Sequence, residues 1–258
     1  MLEFFQSEKF FTQLQYLLGN LPFAIWETVY STVLATVFAY LIGLPLGILL
    51  VTGEKSGIRP LPSPLMRLLN VVINLLRSVP FLILMVLVMP LSRVILGTSI
   101  GTAASIVPLT IAAFPFVARL VEGSLREMDR GIIEAAQAMG CSTLQIIWKV
   151  LLPECLPSLL TGFTTAFVTI LGYGAMSGAI GGGGLGNMAL NRGWTRKQTF
   201  VLYTAVVFLV ILVQIFQSIG AHLTARTDRR LARTGRKGSA RKAREKIDRE
   251  KRIPPGAM

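Results

Sequence analysis

Long, sparsely charged apolar runs alternate along this chain with short charged segments. Each run is long enough to cross the roughly 30 Å of hydrocarbon in a bilayer, which takes about 20 helical residues. Of the 258 residues, 52% are hydrophobic and only 15% are charged. The pattern predicts an all-α polytopic membrane protein with five transmembrane helices, at residues 24–51, 68–91, 100–121, 155–179 and 199–224.

The remaining segments divide the chain into three parts. Residues 1–22 are predicted to form an extracytoplasmic amphipathic leader, and residues 226–258 a basic cytoplasmic tail. The transmembrane domain between them, 23–225, includes one long charged loop at 122–153. The leader is not expected to be a cleavable signal, because it has acidic residues and no basic n-region.

Basic residues are distributed unevenly between the two faces of this predicted domain. One face, which carries the tail, has twenty Lys and Arg, and the other face has five. The positive-inside rule therefore predicts an N-terminus outside and a C-terminus in the cytoplasm. Without the tail the difference is seven against five, so the orientation also depends on the charged loop.

Residue types needed for several kinds of chemistry are scarce. His222 is the only histidine, and Cys141 and Cys155 are expected to be free thiols, so neither a catalytic site nor a metal site is predicted. The chain lacks a phosphate-binding loop, since residues 53–55 only partly resemble one. We therefore expect no enzyme activity and no cofactor bound by this chain; energy must come from a partner or from an ion gradient.

The loop at 122–153 has the pattern of two short helices. Asp129 is a candidate N-cap, and Gly140 stands where a first helix would end in a left-handed residue. Ser142 and Gln145 have the spacing of a capping box for a second helix, and Pro153 marks the return to the bilayer. Apolar residues recur with helical spacing in both halves: Ile132, Ile133, Ala136 and Met139, then Leu144, Ile147, Trp148 and Leu151.

Arg77 lies inside the second apolar run. A charge within the membrane is costly and by default indicates function. Asn70 and Asn74 share its helical face, however, and this favours an interfacial helix at 65–77 with the true span starting near Arg77.

The loop also carries a family resemblance. Glu134-Ala135-Ala136, Gly140 after three further residues, and Val-Leu-Leu-Pro at 150–153 resemble the signature loop of bacterial ABC importer permeases. Other stretches resemble the methionine importer permeases in particular, at residues 77–81, 107–110, 116–119, 172–176 and 181–186. The resemblance covers about 20–225 and implies the type I ABC importer permease fold in a bacterial inner membrane.

The resemblance implies partners and roles as well. The two loop helices would dock on a separate ATPase subunit, with Glu134, Ala135, Ala136, Gly140 and Pro153 as coupling residues. The chain would act as a homodimer with two cytoplasmic ABC ATPases, which bind ATP and Mg, and with an extracytoplasmic substrate-binding protein. The expected function is import of a small amino acid, methionine.

Glycines in the fourth span indicate a translocation path or gate. Gly172 and Gly174 remove side chains there, and Tyr173 and Met176 share one helical face. A close-packed dimer seam is the alternative interpretation. The glycine run at 181–184 is expected to be irregular and outward-facing, and the basic residues after it are candidate receptor contacts or ordinary solvated charges: Arg192, Arg196 and Lys197.

Two other functions were considered. An ion-coupled carrier needs carboxylates or histidines at mid-membrane, whereas Glu27, Glu122 and Glu154 all lie near span ends. A non-transporting scaffold would make the path-like features accidental. The tail, with thirteen basic residues between 226 and 252, is expected to attract anionic membrane lipids and not nucleic acid, because it lacks aromatic residues to stack on bases.

Overall fold

A computed structural model describes residues 8–227 of the protein, and every regular element within them is helical. The predicted lipid-binding tail from residue 228 onward lies outside the described residues. The long helices are α1 (Glu8–Thr52), α2 (Ser63–Ser78), α3 (Phe81–Leu96), α4 (Thr102–Arg126), α5 (Arg130–Ala138), α6 (Leu156–Ser177) and α7 (Thr199–Thr227). Shorter helical turns connect α5 to α6 and α6 to α7.

Within residues 8–227, four helices are long and apolar enough to cross a membrane, and they comprise most of α1, then α4, α6 and α7. α2 and α3, whose axes differ by 108°, are together apolar enough to make one broken span. Counted in this way, they bring the number of crossings to five. The all-helical architecture and the number of spans agree with the predicted fold class.

The second predicted span, at 68–91, is not one continuous helix. The chain leaves the helical conformation at Val79, with ψ 129°, because the following Pro80 disfavours the α region for the residue before it. α2 ends at Ser78 and α3 begins at Phe81. The break falls where the interfacial-helix interpretation of Arg77 requires it.

α1 is continuous across residue 22, the predicted boundary between the leader and the transmembrane domain. α1 runs through Pro22 and Pro45, and its 45 residues extend about 68 Å, more than twice the hydrocarbon thickness. The reason is packing: its first half buries Leu17 and Ala24 against Leu185, Met188 and Val201, so this half is held as a continuation of the helix.

α4 lies at the centre and packs against α1, α3 and α6. Its contact with α1 is close because α1 places small residues every fourth position, at Ala35, Ala39, Gly43 and Gly47. A Cβ atom added at Gly47 would lie 2.6 Å from Cβ of Val121 and 2.7 Å from the carbonyl oxygen of Ala118. Small residues on α1 therefore set the distance between the two helices.

Candidate functional site

The first half of the charged loop folds as the helix α5 with both ends capped. Asp129 Oδ1 accepts a hydrogen bond from the N–H of Gly131 at 2.9 Å. At the other end, Gly140 has φ +79° and its N–H donates to the carbonyl of Gln137, while the N–H of Cys141 donates to the carbonyl of Ala136. These bonds satisfy carbonyls that would otherwise be free, and they turn the chain sharply.

The second half begins with the predicted capping box. The N–H of Ser142 donates to Gln145 Oε1 at 2.8 Å, and the N–H of Gln145 donates to Ser142 Oγ at 3.4 Å. The helix then widens to π geometry over Ile146–Leu151 and returns to α at Leu152–Glu154. The widened turn directly precedes Pro153, a position that lacks a backbone donor in any case.

Burial separates the predicted coupling residues into two groups. Ala136 is buried, whereas Glu134, Ala135, Gly140 and Pro153 are exposed. The buried face of the loop also contains Ile146 and Leu151. The loop thus packs on the helices with one side and leaves most of the signature residues at the surface.

Three large apolar side chains of the loop are exposed. Their helical spacing in the sequence did not determine whether they would be buried. Met139 is 76% exposed, Leu144 68% and Trp148 67%. They flank the turn at Gly140, one before it and two after it. Exposed apolar groups of this size on a charged loop are typical of a surface that binds a protein partner.

An ion-pair network that was not predicted from the sequence joins the helices at the loop end of the bundle. Arg119 donates to Glu122 at 2.6 Å, and also to the side-chain oxygens of Asn70 and Asn74 on α2, at 2.8 and 2.9 Å. Arg126 donates to Glu122 at 2.8 Å and pairs with Glu54, just after α1. The shared face of Asn70 and Asn74 was the only indication of this arrangement in the sequence.

The predicted path residues lie towards the opposite end of α6. The ring of Tyr173 stacks on Phe81 of α3, with centroids 3.9 Å apart and planes 9° from parallel. Met176 is exposed. Gly172 has open space where a Cβ would be, and a Cβ at Gly174 would make only ordinary contact, so neither glycine is required for close packing within one chain.

The glycine run at 181–184 is attached to the first span by side chains of α1. Glu27 accepts hydrogen bonds from the N–H of Gly184 at 2.8 Å and from the hydroxyl of Thr102 at 2.6 Å. The hydroxyl of Thr28 accepts from the N–H of Leu185 at 2.8 Å. A carboxylate near a span end therefore has a structural role here, joining α1, α4 and the segment after α6.

The three candidate receptor contacts differ in their surroundings. Arg192 is partly buried, with its guanidinium carbon 4.3 Å from the ring centroid of Tyr16. Arg196 and Lys197 are exposed. Arg192 and Arg196 line a cavity of about 510 Å³ together with Glu27.

Comparison with known proteins places this architecture in a family. Residues 43–232 match the family described as binding-protein-dependent transport system inner membrane component. The chain is 50% identical over 207 residues to the probable D-methionine transport system permease protein MetI of Vibrio cholerae, covering 80% of this chain and 92% of that protein. It is 43% identical over 213 residues to the Haemophilus influenzae protein of the same name, covering 82% and 99%.

Solved structures agree with this match. The chain superimposes on a chain of an inward-facing MetNI methionine ABC transporter with a TM-score of 0.80 at 43% identity, covering 83% of this chain and 98% of that one. It shares its fold with a chain of an amino acid ABC transporter at a TM-score of 0.64 and 19% identity. The resemblance to ABC importer permeases is confirmed, and the chain belongs to the family of binding-protein-dependent transport system inner membrane components.

Proposed function

We propose that this chain is the transmembrane subunit of an ATP-driven importer for methionine, and that its loop at 122–153 couples the spans to a separate ATPase. The geometry of the loop carries the proposal. Two capped helices meet at a left-handed Gly140 and expose Met139, Leu144 and Trp148. The substrate is taken from the names of the relatives, which are D-methionine permeases.

Some of the coupling residues set the geometry of the loop, and others would contact the ATPase. Gly140 sets the angle between the two helices, and Ala136 seats α5 on the bundle. Ala135 offers a small surface for close approach, and Glu134 a charge for polar pairing with the ATPase. Pro153 ends the second helix before α6. Two ATPase subunits supply bound ATP and Mg, so this chain performs no covalent step.

The proposed assembly is a homodimer in the inner membrane, with its N-terminus outside and its C-terminus in the cytoplasm. Tyr173, Met176, Gly172 and Gly174 would line the path or gate near the twofold axis. An extracytoplasmic binding protein would deliver substrate to the end that carries the glycine run, with Arg192, Arg196 and Lys197 near its contact surface. The excess of Lys and Arg on the face that carries the loop and the tail supports this polarity.

Transport then follows from differential contacts in two states. ATP-driven closure of the ATPase pair would move the loop as a rigid body, and the spans would follow because α4 continues into α5 after only three residues. The ion-driven alternative is less well supported, since Glu27 and Glu122 are already engaged by hydrogen bonds at opposite ends of the bundle.

The test is co-purification of the tagged chain from its native membrane, as wild type and as Trp148→Asp, with ATP hydrolysis and binding-protein-dependent uptake of radiolabelled methionine measured in proteoliposomes. We expect the wild type to bring down an ATPase and the variant to lose it. Trp194→Asp, at an exposed tryptophan between α6 and α7, reports the general effect of an acidic residue at an exposed tryptophan. A folded wild-type protein that captures no ATPase would overturn the proposal.

A further inference from the structure

The break between α2 and α3 leaves a cavity of about 300 Å³. This volume is at the lower end of the roughly 300–1,000 Å³ that is usual for small-ligand sites. Ala112 and Phe116 of α4 line one wall of the cavity. The opposite walls are formed by Arg77 and Phe81 at the break and by Tyr173 of α6.

Arg77 is the charged group of this cavity. Asn70 and Asn74, on the same face of α2, are both engaged by Arg119. Arg77 lies beyond them and is exposed, and its guanidinium has no hydrogen-bond or ion-pair partner within residues 8–227. A guanidinium without such a partner is available to bind an anion. Its planar donors match a carboxylate in a bidentate arrangement.

The other walls suit an apolar side chain. Phe81 and Tyr173 are stacked, and Phe116 adds a third ring. Aromatic rings pack well against thioethers and unbranched aliphatic groups. The hydroxyl of Ser78 donates to the carbonyl of Asn74 at 2.8 Å, which leaves Arg77 as the charged donor of the cavity.

We propose that this cavity is a substrate subsite within the translocation path, where Arg77 binds the carboxylate of the amino acid and the rings of Phe81, Phe116 and Tyr173 hold its side chain. The proposal rests on the proposed function. It gives the permease a selectivity of its own, for apolar amino acids with a free carboxylate. It also connects substrate to the loop, because Arg119 holds α2 against the helix that leads into α5.

The experiment measures equilibrium binding of radiolabelled L-methionine and D-methionine to the complete permease–ATPase complex in lipid nanodiscs, without the binding protein. Unlabelled 3-(methylthio)propylamine, which is methionine without its carboxylate, serves as competitor. We expect Arg77→Gln to weaken methionine binding by at least about tenfold, the size of a lost charged hydrogen bond. The amine should compete poorly with methionine in the wild type and as well as methionine in the variant.

Arg67→Gln is the matched control, because Arg67 lies on the same helix but does not line the cavity. Its binding should equal that of the wild type. Absence of saturable binding to the wild type, unchanged affinity in Arg77→Gln, or an equal loss in both variants would overturn the subsite.

A second variant and a second readout keep the two proposals distinguishable. Arg77→Lys retains the charge but loses the bidentate fork, and we expect several-fold weaker binding with the preference for the carboxylate retained. If Arg77→Gln does not assemble, unchanged affinity in Arg77→Lys overturns the subsite. ATP hydrolysis stimulated by the binding protein is measured on every preparation: if it is intact while Arg77 proves irrelevant to binding, the subsite fails and the proposed function stands.

Discussion

Arg119 donates a hydrogen bond to Glu122 at 2.6 Å, one turn further along α4, and this pair is the centre of the network that joins three helices at the loop end. The side chain of Arg119 is 19% exposed and that of Glu122 only 8%. Asn70 and Asn74 attach α2 to the pair, and Arg126 extends it to Glu54. Any movement of this end of α4 must act on α2 through these contacts.

The first prediction is that Arg119 and Arg126 contribute unequally to the stability of the protein. Arg119→Met should lower the free energy of unfolding by about 3 kcal/mol. The substitution leaves the nearly buried carboxylate of Glu122 with one partner fewer, and it removes the donor to the side-chain oxygens of Asn70 and Asn74. Arg126→Met should cost no more than about 1 kcal/mol, because the Arg126 side chain is 46% exposed and solvent screens its pairs. Thermal unfolding in detergent measures both, and equal losses would contradict this ranking.

A second prediction uses the left-handed backbone of Gly140. Gly140→Val should cost about 1–2 kcal/mol locally, because a β-branched residue disfavours φ near +79°, whereas Gly140→Asn should be nearly neutral. Since no atom lies within 4 Å of an added Cβ, the difference reports conformation and not steric clash. Co-purified ATPase activity should fall in the valine variant alone; loss in both would assign the effect to the side chain.

The loop was the part most accessible from sequence, for a physical reason. The Asp129 cap, the left-handed Gly140 and the Ser142–Gln145 box are local interactions between residues at most three positions apart, so spacing alone specifies them. The exposure of Met139 and Trp148 is a different matter. It depends on how the whole loop packs on the bundle, which periodicity does not determine.

Long-range features were missed for the same reason. The bond from Arg119 to Asn70 joins positions 49 residues apart, and the bond from Gly184 to Glu27 joins positions 157 apart. The continuity of α1 through Pro22 also depends on partners distant in sequence, namely Leu185 and Val201. Apolar composition indicated the spans, but tertiary contacts hold α1 continuous across residue 22.

A third prediction concerns the end of the bundle opposite the loop. Glu27→Ala removes the acceptor of the Gly184 N–H and the Thr102 hydroxyl, so hydrogen exchange at Gly184 and Leu185 should accelerate by about tenfold or more. Glu54→Ala, at the other end, should leave exchange there unchanged. Mass spectrometry of peptides covering 181–187 measures the rate. Unaltered exchange in Glu27→Ala would show that Thr28 and packing hold this segment without the carboxylate.

The last prediction tests whether small residues of α1 set its distance from α4. Gly47→Ala should destabilise the protein by about 1–3 kcal/mol, because the new methyl group would lie 2.6 Å from Val121 and 2.7 Å from the backbone of Ala118, and neither position yields without moving a helix. Gly19→Ala is the matched control in the same helix, with nothing within 4 Å of the added atom. There the higher helix propensity of alanine should stabilise by up to about 1 kcal/mol. Thermal unfolding should therefore shift in opposite directions for the two variants. A shift in the same direction would mean that propensity, and not the α1–α4 distance, governs glycine in this helix.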